Sequence, residues 1–142
     1  MRPDEGRLQT AEHILVHVLR TRFGAAAGVS RFHPDHGTLE VLSGTDMRKV
    51  DTAALSKEVE DVASRGYAVT RRTVGRDEAA RVVSLARVPE DVKEVTIVGI
   101  EGYYASACRD PHVGNTKEIG AFRIEKVERV GDGRYRFRFS VA

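Results

Sequence analysis

The chain has 142 residues, of which 41% are hydrophobic and 31% charged, with a formal net charge of +2. This balance excludes a disordered polymer and predicts one globular domain over residues 1–142, with any nucleic-acid-binding surface confined to a local patch. No apolar run approaches the ~20 residues that a membrane span needs, and residues 1–6 lack the apolar stretch of a secretory signal. Because the chain has one cysteine, we expect no disulfide partner and a cytoplasmic location.

A helix is predicted over residues 8–23, where apolar side chains recur at helical spacing. At about 100° per residue, Gln9, His13 and His17 fall roughly opposite this apolar side. The two histidines are therefore not expected in the core of the helix. They face either bulk water, which is the simplest interpretation, or a cleft.

The middle of the chain alternates short strands with helix signals. In order, the predicted elements are a turn at 24–28, strands at 31–33 and 39–42, a helix at 52–65, a strand at 67–74 and a helix at 77–86. Asp51 is placed to cap the start of the helix at 52–65, and Gly66 is placed to end it. Residues 95–100 are apolar at both alternating positions, which predicts a central strand covered on both faces.

The segment 107–120 follows that central strand and carries the only cysteine, Cys108, with His112 four positions later. A proline between them and two later glycines indicate a loop. Thiolate and imidazole are ligands that zinc favours, so this loop supplies half of a candidate metal site. His13 and His17 of the first helix are the candidates for the other half.

The C-terminus predicts a hairpin of strands 121–130 and 134–141. In the last strand, three aromatic residues alternate with Arg134, Arg136 and Arg138. The aromatic side is expected to pack on the core. The arginine side either contacts a phosphate backbone or is a solvated outer face of the sheet.

Two motifs at opposite ends of the chain resemble one superfamily. The sequence TAEHIL at residues 10–15, together with CRDPHVGNTKEIG at 108–120, is similar to the editing domain of alanyl- and threonyl-tRNA synthetases and to the free-standing alanyl-tRNA editing proteins. The resemblance implies an α+β fold, in which a mixed or antiparallel sheet packs against the long N-terminal helix and two further helices. It implies hydrolysis of the ester between a wrong amino acid, typically serine, and tRNA.

The resemblance also implies a zinc site, with Gln9 at a position where the family usually has histidine. His13, Cys108 and His112 would leave an open coordination position beside Gln9, whereas a fourth ligand from His17 would close it. A metal-free site with a histidine as general base is an alternative, and Cys108 as a covalent nucleophile is another. Asn115 and Thr116 either contact the substrate or cap the turn.

The sequence therefore predicts a deacylase that clears mischarged tRNA in trans, with seryl-tRNA of the alanine system as the expected substrate. The alternative is a zinc- or tRNA-binding module that kept the fold without the chemistry. The oligomeric state does not follow from the sequence.

Overall fold

The computed structural model describes residues 4–142. The prediction that residues 1–6 lack the apolar stretch of a secretory signal falls partly on residues 1–3, which lie outside the described residues. The helices are α1 (Glu5–Phe23), α2 (Thr52–Ser64) and α3 (Arg76–Ala80). The strands are β1 (Ala26–Phe32), β2 (Gly37–Leu42), β3 (Val69–Gly75), β4 (Glu94–Ile100), β5 (Tyr104–Ala107), β6 (Phe122–Gly131) and β7 (Arg134–Val141). The α+β prediction is confirmed, and the strands divide between two antiparallel sheets.

The larger sheet has the strand order β1-β2-β7-β6, and its inner face supports α1 and α2. The predicted C-terminal hairpin is confirmed, since β6 pairs with β7 in antiparallel register. Tyr135, Phe137 and Phe139 of β7 are buried as expected. The alternation of side chains along β7 therefore places these aromatic residues on the sheet face against which the two helices pack.

Helix α1 is buried on nearly all sides, including the side that carries Gln9 and His13, which was expected to face either water or a cleft. Gln9 is 3% exposed and His13 is 2% exposed, as buried as the apolar residues of the helix. The polar side is covered because β5 and the short 3₁₀ turn Thr116–Ile119 both contact α1. Of the two predicted surroundings, bulk water or a cleft, the structure places the His13 side chain in a cleft.

The smaller sheet has the order β3-β4-β5, with β4 in the centre as predicted. Ile97 and Val98 point to opposite faces of β4, and both are buried. The backbone N–H of Cys108 donates to the carbonyl of Thr96 at 2.9 Å, which extends the β4–β5 pairing to the first residue of the loop. The most buried strand of this sheet therefore fixes the start of the loop.

Other boundaries differ from the sequence prediction. Helix α3 has five residues, not the predicted span 77–86, because residues 81–92 form turns; the Arg76 guanidinium binds the carbonyls of Pro89 and Val92 there, each at 2.8 Å. Strand β1 begins inside the predicted turn at 24–28. The Asp51 cap of α2 is confirmed, since its side chain accepts a hydrogen bond from the Ala54 N–H at 3.0 Å.

Within residues 4–142, no helix has the length and apolar character that crossing a membrane would need.

Candidate active site

Three side chains from the two ends of the chain converge beside α1. His13, Cys108 and His112 place one donor atom each within 4.8 Å of one another. Nε2 of His112 lies 3.4 Å from Sγ of Cys108, and the two imidazole ring centres are 4.4 Å apart. The structure thus brings together the histidine of the first motif and both chemically active residues of the second.

Thr10 determines the orientation of the His112 ring. Its hydroxyl donates to the carbonyl of Gly6 at 2.8 Å and lies 3.1 Å from Nδ1 of His112. Because a hydroxyl has a single proton, His112 is the donor in the second bond. The proton therefore resides on Nδ1, and the lone pair of Nε2 faces Cys108.

Ser106 holds the other imidazole in a similar way. Its hydroxyl lies 2.9 Å from Nδ1 of His13, which leaves Nε2 of His13 as the nitrogen available to the cluster. Ser106 lies two positions before Cys108, so strand alternation carries both side chains toward the same side. That alternation is the signal in the sequence that could have identified Ser106, whose role was not predicted. The role of Thr10 was not predicted either.

The loop packs directly against the first turn of α1 at Gly6. A Cβ atom at this position would lie 3.3 Å from the carbonyl carbon of His112 and 3.4 Å from the N–H nitrogen of Val113. That N–H also donates to the Thr10 hydroxyl at 3.2 Å. A residue without a side chain at position 6 therefore allows the close approach that places His112 over the helix.

The electrostatics of the cluster favour neutral side chains. Burial, followed by the neighbouring His112, lowers the pKa of His13 well below its ordinary value. Burial, followed by the Arg71 guanidinium, lowers the pKa of His112 to about 4. Burial raises the pKa of the Cys108 thiol to about 11. Without a bound cation, the cysteine is therefore a poor nucleophile and the histidines are weak bases.

The donor set fits zinc. Two neutral imidazoles whose Nδ1 atoms are held by hydroxyl groups, and one thiol, are the ligand types that this metal binds in catalytic sites with three protein ligands. A bound divalent cation would also deprotonate the thiol, which burial alone opposes. The cluster is therefore a possible metal site formed by His13, Cys108 and His112.

A cleft of about 1630 Å³ opens beside the cluster. Gln9, His13 and Cys108 line it, together with Ser30 of β1 and Arg87 of the 81–92 segment. Gln9 thus lies in the same cavity as two of the three donor residues. The space is large enough for a small-molecule group together with part of a nucleotide.

His17 lies outside the cluster, which corrects its assignment as a possible fourth ligand. Its ring stacks on Tyr104 with centres 4.7 Å apart and meets Tyr103 edge-on at the same distance. Its Nδ1 atom lies 3.3 Å from the guanidinium of Arg20. The donor cluster found among residues 4–142 does not include it. Helical spacing aligned His17 with His13, but the aromatic residues before the loop occupy the space around it.

Asn115 and Thr116 match the capping alternative. The Asn115 side chain accepts from the Lys117 N–H at 2.9 Å, in a capping box completed by Glu118. Thr116 is 0% exposed and donates to the carbonyl of Ala63 at 2.8 Å, so it cannot touch a ligand in the cleft. These two residues fix the end of the loop against α2, and neither lines the cleft.

The arginine side of β7 faces outward, as predicted. Arg136 lies 3.4 Å from both Glu40 and Glu128, and the Arg138 guanidinium donates to Glu125 at 3.1 Å. Arg134 is exposed near the hairpin turn. Carboxylates of the neighbouring strands therefore neutralise much of the charge on this side.

Residues 95–138 match the family described as the threonyl and alanyl tRNA synthetase second additional domain. The chain is 30% identical over 141 residues to the alanyl-tRNA editing protein AlaX-M of Methanosarcina mazei, a match that covers 95% of this chain and 55% of the relative. It is 27% identical over 139 residues to the alanine–tRNA ligase of Methanopyrus kandleri, covering 94% of this chain and 15% of that enzyme. The threonine–tRNA ligase of Alkalilimnicola ehrlichii is 33% identical over 85 residues, covering 54% of this chain and 13% of that enzyme. The chain spans about half the length of the editing proteins that it matches.

Proposed function

We propose that the chain, which is similar to the threonyl and alanyl tRNA synthetase second additional domain over residues 95–138 and to free-standing alanyl-tRNA editing proteins over most of its length, hydrolyses the ester bond of mischarged tRNA. The observation that carries the proposal is the convergence of His13, Cys108 and His112 beside a cleft. Seryl-tRNA of the alanine system is the proposed substrate. The similarity to alanyl-tRNA editing proteins supports the alanine system as the source of the tRNA.

Zinc is the proposed cofactor, held by Nε2 of His13, Sγ of Cys108 and Nε2 of His112. When bound, the ion supplies a Lewis acid that polarises the ester carbonyl or a water molecule. The side chains keep their donor atoms directed at one point, because Thr10 and Ser106 fix the two rings. The Gln9 amide, which lines the same cleft, is the proposed group that orients the attacking water or the substrate.

We also propose that Arg134, Arg136 and Arg138 contact the RNA backbone. Replacing all three by alanine is then expected to weaken tRNA binding and to reduce its salt dependence. Since Arg136 and Arg138 already pair with carboxylates, we expect a modest change in affinity. An unchanged affinity and salt slope would remove this side of the sheet from the RNA contact.

Deacylation of seryl-tRNA of the alanine system by the purified, zinc-loaded chain tests the proposed function. We expect hydrolysis well above the reaction without protein, little hydrolysis of correctly charged alanyl-tRNA, and loss of activity in the Cys108→Ala variant. A wild-type rate equal to that of Cys108→Ala and of the protein-free reaction contradicts the proposal. Retained tRNA affinity under that outcome would identify a binding module.

A further inference from the structure

Glu12 is a buried carboxylate that the cluster does not use. It precedes His13 on α1, it is 3% exposed, and its Oε1 atom accepts no hydrogen bond from the described residues. The nearest cationic atom is Nη2 of Arg87 at 3.7 Å, which is beyond hydrogen-bonding distance. Burial raises the pKa of Glu12, an effect that Arg87 and the nearby Ser30 oppose.

Ser30 is a second incompletely bonded group on the same cavity. Its hydroxyl oxygen is buried without a hydrogen-bond partner among residues 4–142. An unsatisfied buried polar group costs about 1–3 kcal/mol, and more when it is charged. Because Glu12 and Ser30 both line the cleft beside His13 and Cys108, a ligand in that cleft would satisfy both.

The chemistry of an aminoacyl ester matches this position. Its α-amino group, mostly protonated near neutral pH, is separated from the ester carbonyl by a single carbon atom. With the carbonyl at the His13–Cys108–His112 cluster, the ammonium must lie in the immediate neighbourhood of that cluster. Glu12, adjacent to His13 and facing the same cavity, is a carboxylate in that neighbourhood.

We propose that Glu12 binds the α-ammonium of the substrate's aminoacyl group, with the Ser30 hydroxyl as a further polar contact. This inference rests on the proposed function and specifies its substrate class, namely esters with a free α-amine. N-acylated aminoacyl groups, which carry no positive charge, would leave Glu12 unpaired and be rejected. Arg87 lies near the carboxylate without occupying its hydrogen-bonding position.

Binding of a non-hydrolysable probe tests this role without requiring turnover. The probes are the seryl amide of 3′-amino-3′-deoxyadenosine and its N-acetyl derivative, titrated by calorimetry into the zinc-loaded chain. Wild type is expected to bind the free amine about tenfold more tightly than the N-acetyl form. In Glu12→Gln we expect this preference to disappear while the affinity for the N-acetyl probe stays unchanged.

Two further variants keep the test decisive if Glu12→Gln folds poorly. Arg87→Gln is expected to keep or increase the preference for the free amine, because the competing cation is gone. Glu78→Gln removes the carboxylate of an exposed Glu78–Arg72 pair, 3.2 Å apart, and is expected to leave both affinities unchanged.

A retained preference in Glu12→Gln, or equal affinities of the two probes for wild type, would overturn the ammonium site. So would a loss in Arg87→Gln as large as that in Glu12→Gln, which would make the two residues a structural ion pair. Failure of the proposed function looks different. In that case seryl-tRNA is not hydrolysed by wild type, whatever the probes show.

Discussion

His13 and His17 lie one turn apart on the same side of α1, yet their surroundings differ. The His13 ring is buried, bonded to Ser106 through Nδ1, and close to a thiol and a second imidazole. His17 is half-buried against two tyrosines and next to the guanidinium of Arg20. One histidine therefore belongs to a polar cluster with donor atoms directed inward, and the other belongs to an aromatic surface.

The difference shows that helical spacing alone does not decide whether a histidine joins the cluster. Residues at i and i+4 share a side of the helix, but the segment that covers each turn decides its chemistry. The Cys108 loop covers the His13 turn, whereas Tyr103 and Tyr104, a few residues earlier in the chain, cover the His17 turn.

The largest expected effect separates the two histidines directly. His13→Ala is expected to lose stoichiometric zinc and to reduce deacylation by about a hundredfold or more, the scale expected when a group acting on the reacting atoms is removed. His17→Ala is expected to keep its zinc and most of its activity. Metal content by mass spectrometry and single-turnover deacylation measure both.

Equal zinc loss in the two variants would contradict the separation and return His17 to the ligand set. Circular dichroism of each variant serves as the control for folding. Full zinc content in His13→Ala would show that the cluster does not hold the metal.

Removing the Thr10 hydroxyl, which orients His112, is expected to have the second-largest effect, a loss of zinc affinity. Thr10→Val keeps the shape of the side chain but removes the acceptor for the His112 ring and for the Val113 N–H. A loss of about 10–100-fold in zinc affinity is expected, the usual effect of removing a partner that orients a ligand. Competition with a chromophoric chelator measures it.

Thr10→Ser provides the matched control for that measurement. It retains the hydroxyl and is expected to recover most of the affinity. If valine and serine behave alike at position 10, then packing rather than the hydrogen bond positions His112.

A change far from both histidines tests whether stability alone affects the site. Asp51→Ala removes the cap of α2, and we expect a loss of about 1 kcal/mol in the free energy of unfolding. The zinc content should not change. Denaturant unfolding together with metal analysis checks this, and a lower zinc content would mean that the cluster depends on global stability.

The smallest expected effect is on the pH dependence of the free energy of unfolding, to which His17 contributes. Burial, followed by Arg20, lowers the pKa of His17 below 6.5 in the folded chain. As pH falls through about 6.5, the unfolded chain takes up this proton first, so the stability that neutral His17 contributes declines. The stability difference between wild type and His17→Phe should therefore shift against wild type between pH 7.5 and 5.5. A pH-independent difference in denaturant unfolding would contradict it.

Local patterns were enough to predict much of this molecule. Periodicity located α1 and the β6–β7 hairpin, the Asp51 cap marked the start of α2, and the apolar run at 95–100 identified the central strand. The two motifs identified the three residues that converge. Each of these elements and each of the two motifs lies within one contiguous stretch, which is the information that a sequence carries directly.

What could not be predicted depends on contacts between distant segments. The burial of Gln9 and His13 arises because β5 and the loop end pack on α1. Helix α3 ends early, and the Arg76 guanidinium at its start binds two carbonyls of the following segment, a contact that helical periodicity does not indicate. The hydroxyl of Thr10 acquires its role only when His112 reaches it, and nothing in residues 10–15 alone indicates that contact.

The Thr10–His112 contact joins positions that are 102 residues apart along the chain. A metal ion bound by His13, Cys108 and His112 would act as a cross-link that closes a loop of this size. The chain-entropy treatment of a covalent cross-link assigns ~4.7 kcal/mol to a loop of ~100 residues. The ion would then restrict the unfolded ensemble as well as serve the reaction, and chelation would lower the melting temperature with the hydrophobic core left intact.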